Sequence, residues 1–503
     1  VKIYLAGYNV DTAVLRDLEK EAGKREDLTP EVLSAAYARI SRDPRPINEI
    51  RESAREEVEK SRRSNSTIIF RMGHHSVAEH AVFNLDILGV SRFAMEEVEK
   101  FRLCSYTEKS QRYITLDNDF VLPDEIKGTR LEASFINMVR EQNEAYFRFF
   151  KKLKDHAFKK HAGLAADEKN HDLLEGWAKE DARYITALAT ESQVGQTINA
   201  RTLELLLRRF ASHPLEEVRQ LGRTIYEKIS DVAPSIVIFH KANDRDMKTY
   251  PELKALAADI IGDKTAFPAA GGRGVELVEF TEGADDVLAA SLLHVSSNVP
   301  YKKCKSIVKD LATRDKEEVL KASWRYMQLY DSMLREFEYV NLTYNIVLSA
   351  ACFGQLKRHR MATITSQGYD PGLGVTVPES IKETGMEKAF NEIIEKTDEV
   401  YDGIKKEVPL AAPYILTNAH RKRVLMRVNA RELYHISRLR EDAHAQWDIQ
   451  NVSRDMARLA KEVMPLTFAF IGGKDKYNEI YRKVHGELPK VTETALPAAR
   501  KIK

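Results

Sequence analysis

The stretch EKFRLCSYTEKSQRY, residues 99–113, gathers Arg102, Ser105, Ser110, Arg112 and Tyr113 around one glutamate, Glu108. It follows the apolar run HAVFNLDILGVSRFAMEEV. Guanidinium forks and short hydroxyls at this density suit an anion. The chain as a whole supplies no attracting field. Its 78 Lys and Arg stand against 76 Asp and Glu, a formal net charge of +2. Any anion site is therefore local, and neither nucleic acid nor a membrane surface is expected as a partner. A hydrophobic share of 43% with 31% charged residues reads as globular. A length of 503 residues suits two domains. The three cysteines, Cys104, Cys304 and Cys352, are far apart and lack metal-ligand or disulfide spacing. VKIYLAGYNV at the start reads as a strand, not a signal peptide, and no apolar run is long enough to span a bilayer. A cytoplasmic location is expected.

Outward from residues 99–113 the chain repeats itself. VKIYLAGYNVDTAVL at the start resembles VELVEFTEGADDVLA from Val275. LPDEI at Leu122 resembles VPESI at Val377. Two amphipathic helical patterns follow, SFINMVREQNEAYFRFFKKL and AFNEIIEKTDEVYDGIKKEV. They match Phe135 with Phe390 and Tyr146 with Tyr401 at one constant offset. Asn-Ala-Arg then opens a helical stretch at Asn199 and again at Asn429. The charged HAFKKHAGLAADEKNHDLLEG lengthens the first copy alone. Strands are expected at the start of each copy and at AVFNLDILG and VNLTYNIVL, which alternate with period two. The expected fold class is α+β: two homologous repeats, each a small, mostly antiparallel sheet packed with helices, together forming a pseudo-dimer. The expected domains are 1–240 and 272–503, with 241–271 as a Pro- and Gly-containing linker.

SYTEKSQRY, preceded by GHHSVAEH and GVSRFAMEEVEKFR, resembles the signature of flavin-dependent thymidylate synthases. That pattern runs Arg-His-Arg, two residues, Ser, one, Asn-Glu, one, Ser, one, Arg-Tyr. Repeat 1 matches it at Arg102, Ser105, Glu108, Ser110, Arg112 and Tyr113, and departs at Lys100, Phe101 and Thr107. Repeat 2, in QLKRHRMATITSQGYD, keeps Arg358, His359 and Arg360. It then has Thr363, Thr365, Ser366, Gly368 and Asp370 in place of Ser, Asn, Glu, Ser and Arg. Further on, repeat 1 keeps a family arginine at Arg183 where repeat 2 has Pro413. Repeat 2 keeps another at Arg440, with His435 and His444, where repeat 1 has Phe210.

The resemblance implies methylation of dUMP to dTMP, with methylenetetrahydrofolate as carbon donor, FAD as cofactor and NADPH as reductant. It implies that repeat 1 holds the nucleotide phosphate through Glu108, Ser110, Arg112 and Arg183. Repeat 2 would hold flavin and uracil through Gln355, Arg358, His359, Arg360, Asn429, Arg431, His435 and Arg440, with Arg440 as the catalytic group. His74, Ser76 and Glu79 would line the FAD cavity, and repeat 2 has Ser332 and Phe337 opposite His74 and Glu79. The retained halves complement each other, so one complete site is expected per pair of repeats. A homodimer would act as a pseudo-tetramer. dUMP and folate are the implied small-molecule partners.

Taken without the resemblance, each feature has an ordinary reading. A single Arg-rich stretch is most often a solvated helix face. His74, His75 and His80 do not share a helix face and no Cys or carboxylate pair joins them, so no metal is expected. A diverged flavin- or nucleotide-binding protein without synthase activity, or a flavoenzyme acting on another pyrimidine, is the alternative function. Trp447–Gln450, WDIQ, departs from the family's usual Glu-Ile-Arg and accords with it.

Overall fold

The computed structural model describes residues 1–11, 14, 29–39, 45, 47–65, 69, 74–111, 119–262, 274–329 and 331–490. The chain divides into two compact units. One comprises Val1–Pro268 with Val377–Asn418, the other Ala269–Thr376 with Ala419–Lys503.

The first unit holds β1 (Lys2–Tyr8), β2 (Val82–Ser91), β3 (Cys104–Glu108) and β4 (Glu191–Asn199). They form one sheet in the order β1-β2-β4-β3, every neighbour antiparallel. Period-two alternation buries Phe83, Leu85 and Ile87 on one face of β2. Five helices concern the site: α1 (Arg92–Val98), α2 (Glu132–Lys160), α3 (Ala200–Ala211), α4 (Glu216–Ile229) and α5 (Asp244–Ile261). Asn199 ends β4 and starts α3 in one residue, its side-chain oxygen accepting the Thr202 N–H at 2.9 Å. The segment expected as linker contains α5, opened by a capping box between Asn243 and Asp246. Residues 263–273 lie outside the described residues.

The second unit repeats the plan. Its sheet is β5 (Gly274–Phe280), β6 (Asn341–Ser349), β7 (Thr363–Tyr369) and β8 (Arg421–Asn429), in the order β5-β6-β8-β7, again antiparallel. After β6 comes α6 (Ala350–Leu356). The long helix α7 (Glu387–Glu407) belongs to the first unit. Then follow α8 (Ala430–Arg440), α9 (Trp447–Val463) and α10 (Tyr477–His485). Asn429 caps α8 by accepting the Glu432 N–H at 2.8 Å, as Asn199 caps α3. A second shared device ties each sheet to its helices. Ser91 caps α1 and gives its hydroxyl hydrogen to Glu217 at 2.8 Å; Ser349 caps α6 and gives its own to Asp448 at 2.6 Å. The fold is α+β, built of two copies of one design.

Within the first unit, α2 meets α7 through its own counterparts. Glu141 pairs with Lys396, and Gln142 Nε2 donates to Thr397 Oγ1 at 2.9 Å. Both contacts join residues that occupy the same place in the two repeats. Leu188 N donates to Leu416 O at 2.7 Å, and Asn418 N to Thr186 O at 3.0 Å, around an antiparallel bridge between Ala187 and Thr417. A residue meeting its own equivalent, flanked by reciprocal contacts, is an isologous interface. The repeats form a pseudo-dimer.

The paired registers correct one alignment. Ala200 N donates to Ala81 O, and Ala430 N to Val340 O. That places Glu79 level with Glu338, one residue beyond the Phe337 expected from sequence. Phe337 instead fills the core position that Ala78 fills in repeat 1, both buried. The slip arises in a short 3-10 turn, where no hydrophobic period fixes the register.

Candidate active site

In the second unit, α8 and the turn after α6 bring most of the expected repeat 2 residues together. The Arg440 guanidinium is held three ways: Nε donates to His359 Nε2 at 2.9 Å, Nη1 to Gln355 Oε1 at 3.1 Å, and Nη2 to the Gln355 carbonyl at 3.2 Å. Three donors on one rigid plane fix that plane. His359 is 4% exposed. Burial first, then the charge of Arg440, then His435 and Arg358, push its imidazole well below the ordinary histidine range. It is neutral at physiological pH and accepts from Arg440. The His435 ring stands edge-on to it, centroids 6.0 Å apart. Arg358 and Arg360 flank it, both exposed.

Beside this cluster lies a cleft of about 670 Å³, lined in part by Ser332, Glu338, Asn429, Arg431, Glu432 and His435. Arg431 spans its wall, donating to the Met333 carbonyl at 2.8 Å and to Glu338 at 2.7 Å. The hydrogen bond from Arg431 holds the Glu338 carboxyl below its ordinary range. Glu338 and Glu432 also line this cleft, and the sequence reading missed both. The first was hidden by the register slip. The second was readable as the Glu that follows Asn-Ala-Arg in repeat 2, where repeat 1 has Thr202.

The first unit places its expected residues differently. Glu108 is paired with half-buried Arg92 and accepts the Ser192 hydroxyl at 3.0 Å, so its carboxylate is already engaged. Ser110 follows the end of β3, half-buried. Arg112 lies outside the described residues. Arg183 is buried, 4% exposed, and its carbonyl accepts from Asn418 Nδ2 at 3.1 Å. His74 and Ser76 are exposed on the turn before β2. Glu79 pairs with Arg201 at 2.5 Å, the counterpart of the Glu338–Arg431 pair.

Where repeat 2 has His359 bonded to Arg440, repeat 1 has Phe101 against Phe210, edge-to-face with centroids 6.2 Å apart. Phe210 is 2% exposed, and a Cβ at Gly222 would come within 2.9 Å of it. An apolar pair stands where the other repeat has a polar one, and Gly222 lets helix α4 approach the Cβ of Phe210 closely. Lys100 turns outward to Glu97 at 2.5 Å. In repeat 2, Asp370 closes the loop after β7 by accepting the Gly372 N–H at 2.9 Å, and Pro413 lies in the short 3-10 turn Ala412–Ile415.

The family model described as thymidylate synthase complementing protein matches residues 26–235 and again 276–466. A UPF0159 protein of Chlamydia muridarum is 26% identical over 80% of this chain and 79% of its own length. Another, from Thermoplasma acidophilum, is 23% identical over 79% of this chain and 86% of its own. A flavin-dependent thymidylate synthase of Clostridium tetani is 29% identical over 41% of this chain but 80% of its own length. A protein of the last kind is therefore matched by less than the length of one repeat. With two matched segments covering most of its length and two copies of one sheet order, the chain belongs to the thymidylate synthase complementing protein family.

Proposed function

We propose that the protein converts dUMP to dTMP in a flavin-dependent reaction, using methylenetetrahydrofolate and NADPH, and that residues of both repeats are required. The single observation that carries this reading is Arg440, locked by three hydrogen bonds beside a cleft that mixes apolar and charged side chains, and replaced by phenylalanine in the other repeat.

The cleft suits a flavin on its own chemistry. Its volume lies in the range of cofactor sites, and its wall offers a fixed arginine, carboxylates and an exposed imidazole. Arg358, Arg360, Asn429, Arg431 and His435 would hold FAD, together with His74, Ser76 and Glu79. When bound, reduced flavin supplies the hydride and the folate supplies the carbon. The protein's part is binding and polarisation. Arg440, with Gln355 behind it, presents a permanent charge to the uracil edge and stabilises negative charge that develops on the ring. Because its plane is fixed in advance, no reorganisation is needed during reaction. Arg112, Arg183 and Ser110 would bind the phosphate, with Glu108 orienting that strand through Arg92 and Ser192. A homodimer acting as a pseudo-tetramer in a reducing cytoplasm completes the reading. In its support, none of the three cysteines forms a disulfide, and no helix among the described residues is long and apolar enough to cross a membrane.

The test is dTMP formation by the purified protein with dUMP, methylenetetrahydrofolate, FAD and NADPH, alongside rescue of a thymidine-requiring strain. Activity is expected to need both Arg183 and Arg440. An Arg440→Ala loss of about 10²–10³-fold in kcat is the expected scale for removing one charge-stabilising donor. A folded, flavin-loaded protein that leaves dUMP unchanged would overturn the proposal.

A further inference from the structure

Buried between Arg440 and Glu432, His359 has one nitrogen facing each. Its Nε2 lies 2.9 Å from Arg440 Nε, and its Nδ1 lies 3.5 Å from Glu432 Oε1. Arginine only donates, so Nε2 must be bare and the ring proton must sit on Nδ1. The opposite tautomer would set two N–H groups against each other. An imidazolium would do the same and would add a buried like charge.

We propose that Glu432 is a positioning residue: its carboxylate holds the proton on His359 Nδ1, which keeps Nε2 free to fix Arg440. Glu432 is 9% exposed and lies in the first turn of α8, where Asn429 caps its backbone N–H. The repeats supply the comparison. At the three matching places repeat 1 has Thr202, Phe101 and Phe210, with Asn199 capping Thr202 in the same way. All three polar members differ together, and the two phenylalanines pack on each other. That pattern fits one working chain better than three separate contacts. Arg358, Arg440 and His435 are the other charged or titratable groups that bear on His359, and Arg431 and His435 bear on Glu432. The first set favours a neutral ring at His359 and the second an ionised carboxyl at Glu432. Burial of Glu432 opposes them and raises that carboxyl above its ordinary range.

The structural part of this inference is independent of the reaction; its kinetic part rests on the dUMP reading. The experiment is two-bond nitrogen–proton correlation NMR on histidine-labelled full-length protein, with His359→Gln identifying the resonance. The wild type is expected to show a protonated Nδ1 and a bare Nε2 that do not titrate between about pH 5 and 8. In Glu432→Ala the Nδ1 proton loses its acceptor, so the ring is expected to part from Arg440 and the proton to redistribute between the two nitrogens. In Glu432→Gln, whose amide oxygen still accepts, it stays on Nδ1. dTMP formation follows the same order: kcat falls by about 10²-fold in the alanine variant at little changed KM, and recovers in the glutamine variant. A wild-type His359 protonated on Nε2, or titrating within that range, overturns the proposal even if Glu432→Ala fails to fold. So does an alanine variant with wild-type His359 signals. Absence of dTMP formation in every protein would instead count against the reaction, while the spectra still decide the role of Glu432.

Discussion

At the scale of single residues, the two repeats perform a substitution experiment on each other. His359 and Arg440 in one become Phe101 and Phe210 in the other, and each pair is internally satisfied. From sequence alone, Phe210→Arg appears harmless to turnover because the site around it is already lost. The structure changes that expectation. Phe210 is buried, and an arginine there would have Phe101 instead of a histidine as neighbour. An uncompensated buried charge costs about 3–5 kcal/mol. Phe210→Arg should therefore lower the unfolding midpoint in urea strongly, whereas Phe210→Leu and Asp370→Asn should leave dTMP formation near wild type. His359 also predicts a pH dependence. Its folded imidazole resists protonation, through burial first and Arg440 next. The unfolded chain takes up that proton near pH ~6.5, so stability is full above that value and falls as pH drops through it. The slope contributed is at most about 1.4 kcal/mol per pH unit. Comparing thermal midpoints at about pH 7 and pH 5, His359→Gln should show the shallower dependence.

At the scale of elements, what was legible followed from periodicity and capping chemistry. The four strands expected at the repeat starts, AVFNLDILG and VNLTYNIVL are β1, β5, β2 and β6. Both Asn-Ala-Arg sequences open helices because asparagine accepts the third N–H of the turn. Gln355, His359 and Arg440 were readable as a group, and they touch. Glu338 was not, because a 3-10 turn carries no period to count along. Helix α5 was hidden behind the Pro and Gly residues beyond it, although Asn243 and Asp246 announce its cap. Nor did the sequence disclose the partner of α2. An apolar stripe says that a helix is buried, not against what. The α2–α7 contact yields its own prediction. Gln142 donates from one amide nitrogen to both Thr397 Oγ1 and the Ile415 carbonyl, all buried. Thr397→Val removes one acceptor in a place water does not reach, and should cost about 1–3 kcal/mol in urea unfolding. The stacked Phe149–Phe390 pair in the same contact should keep the fold assembled.

At the scale of the whole molecule, the second repeat's Val377–Asn418 belongs to the same compact unit as the first repeat. Neither half of the chain therefore owns all the contacts it uses. Fragments 1–262 and 274–503, produced together with a tag on one, should co-purify; produced apart, each should expose α2 or α7 and aggregate or self-associate. The axis contact goes further than holding the repeats together. In a pair of identical subunits, a residue on the two-fold meets its own twin. Here Glu141 meets Lys396. Two first repeats facing one another would set Glu141 against Glu141, and two second repeats Lys396 against Lys396. The attraction is modest for so exposed a couple, yet both homotypic matings repel. The contact therefore has a polarity that a true two-fold lacks: a front repeat suits a back repeat, and neither suits its own kind.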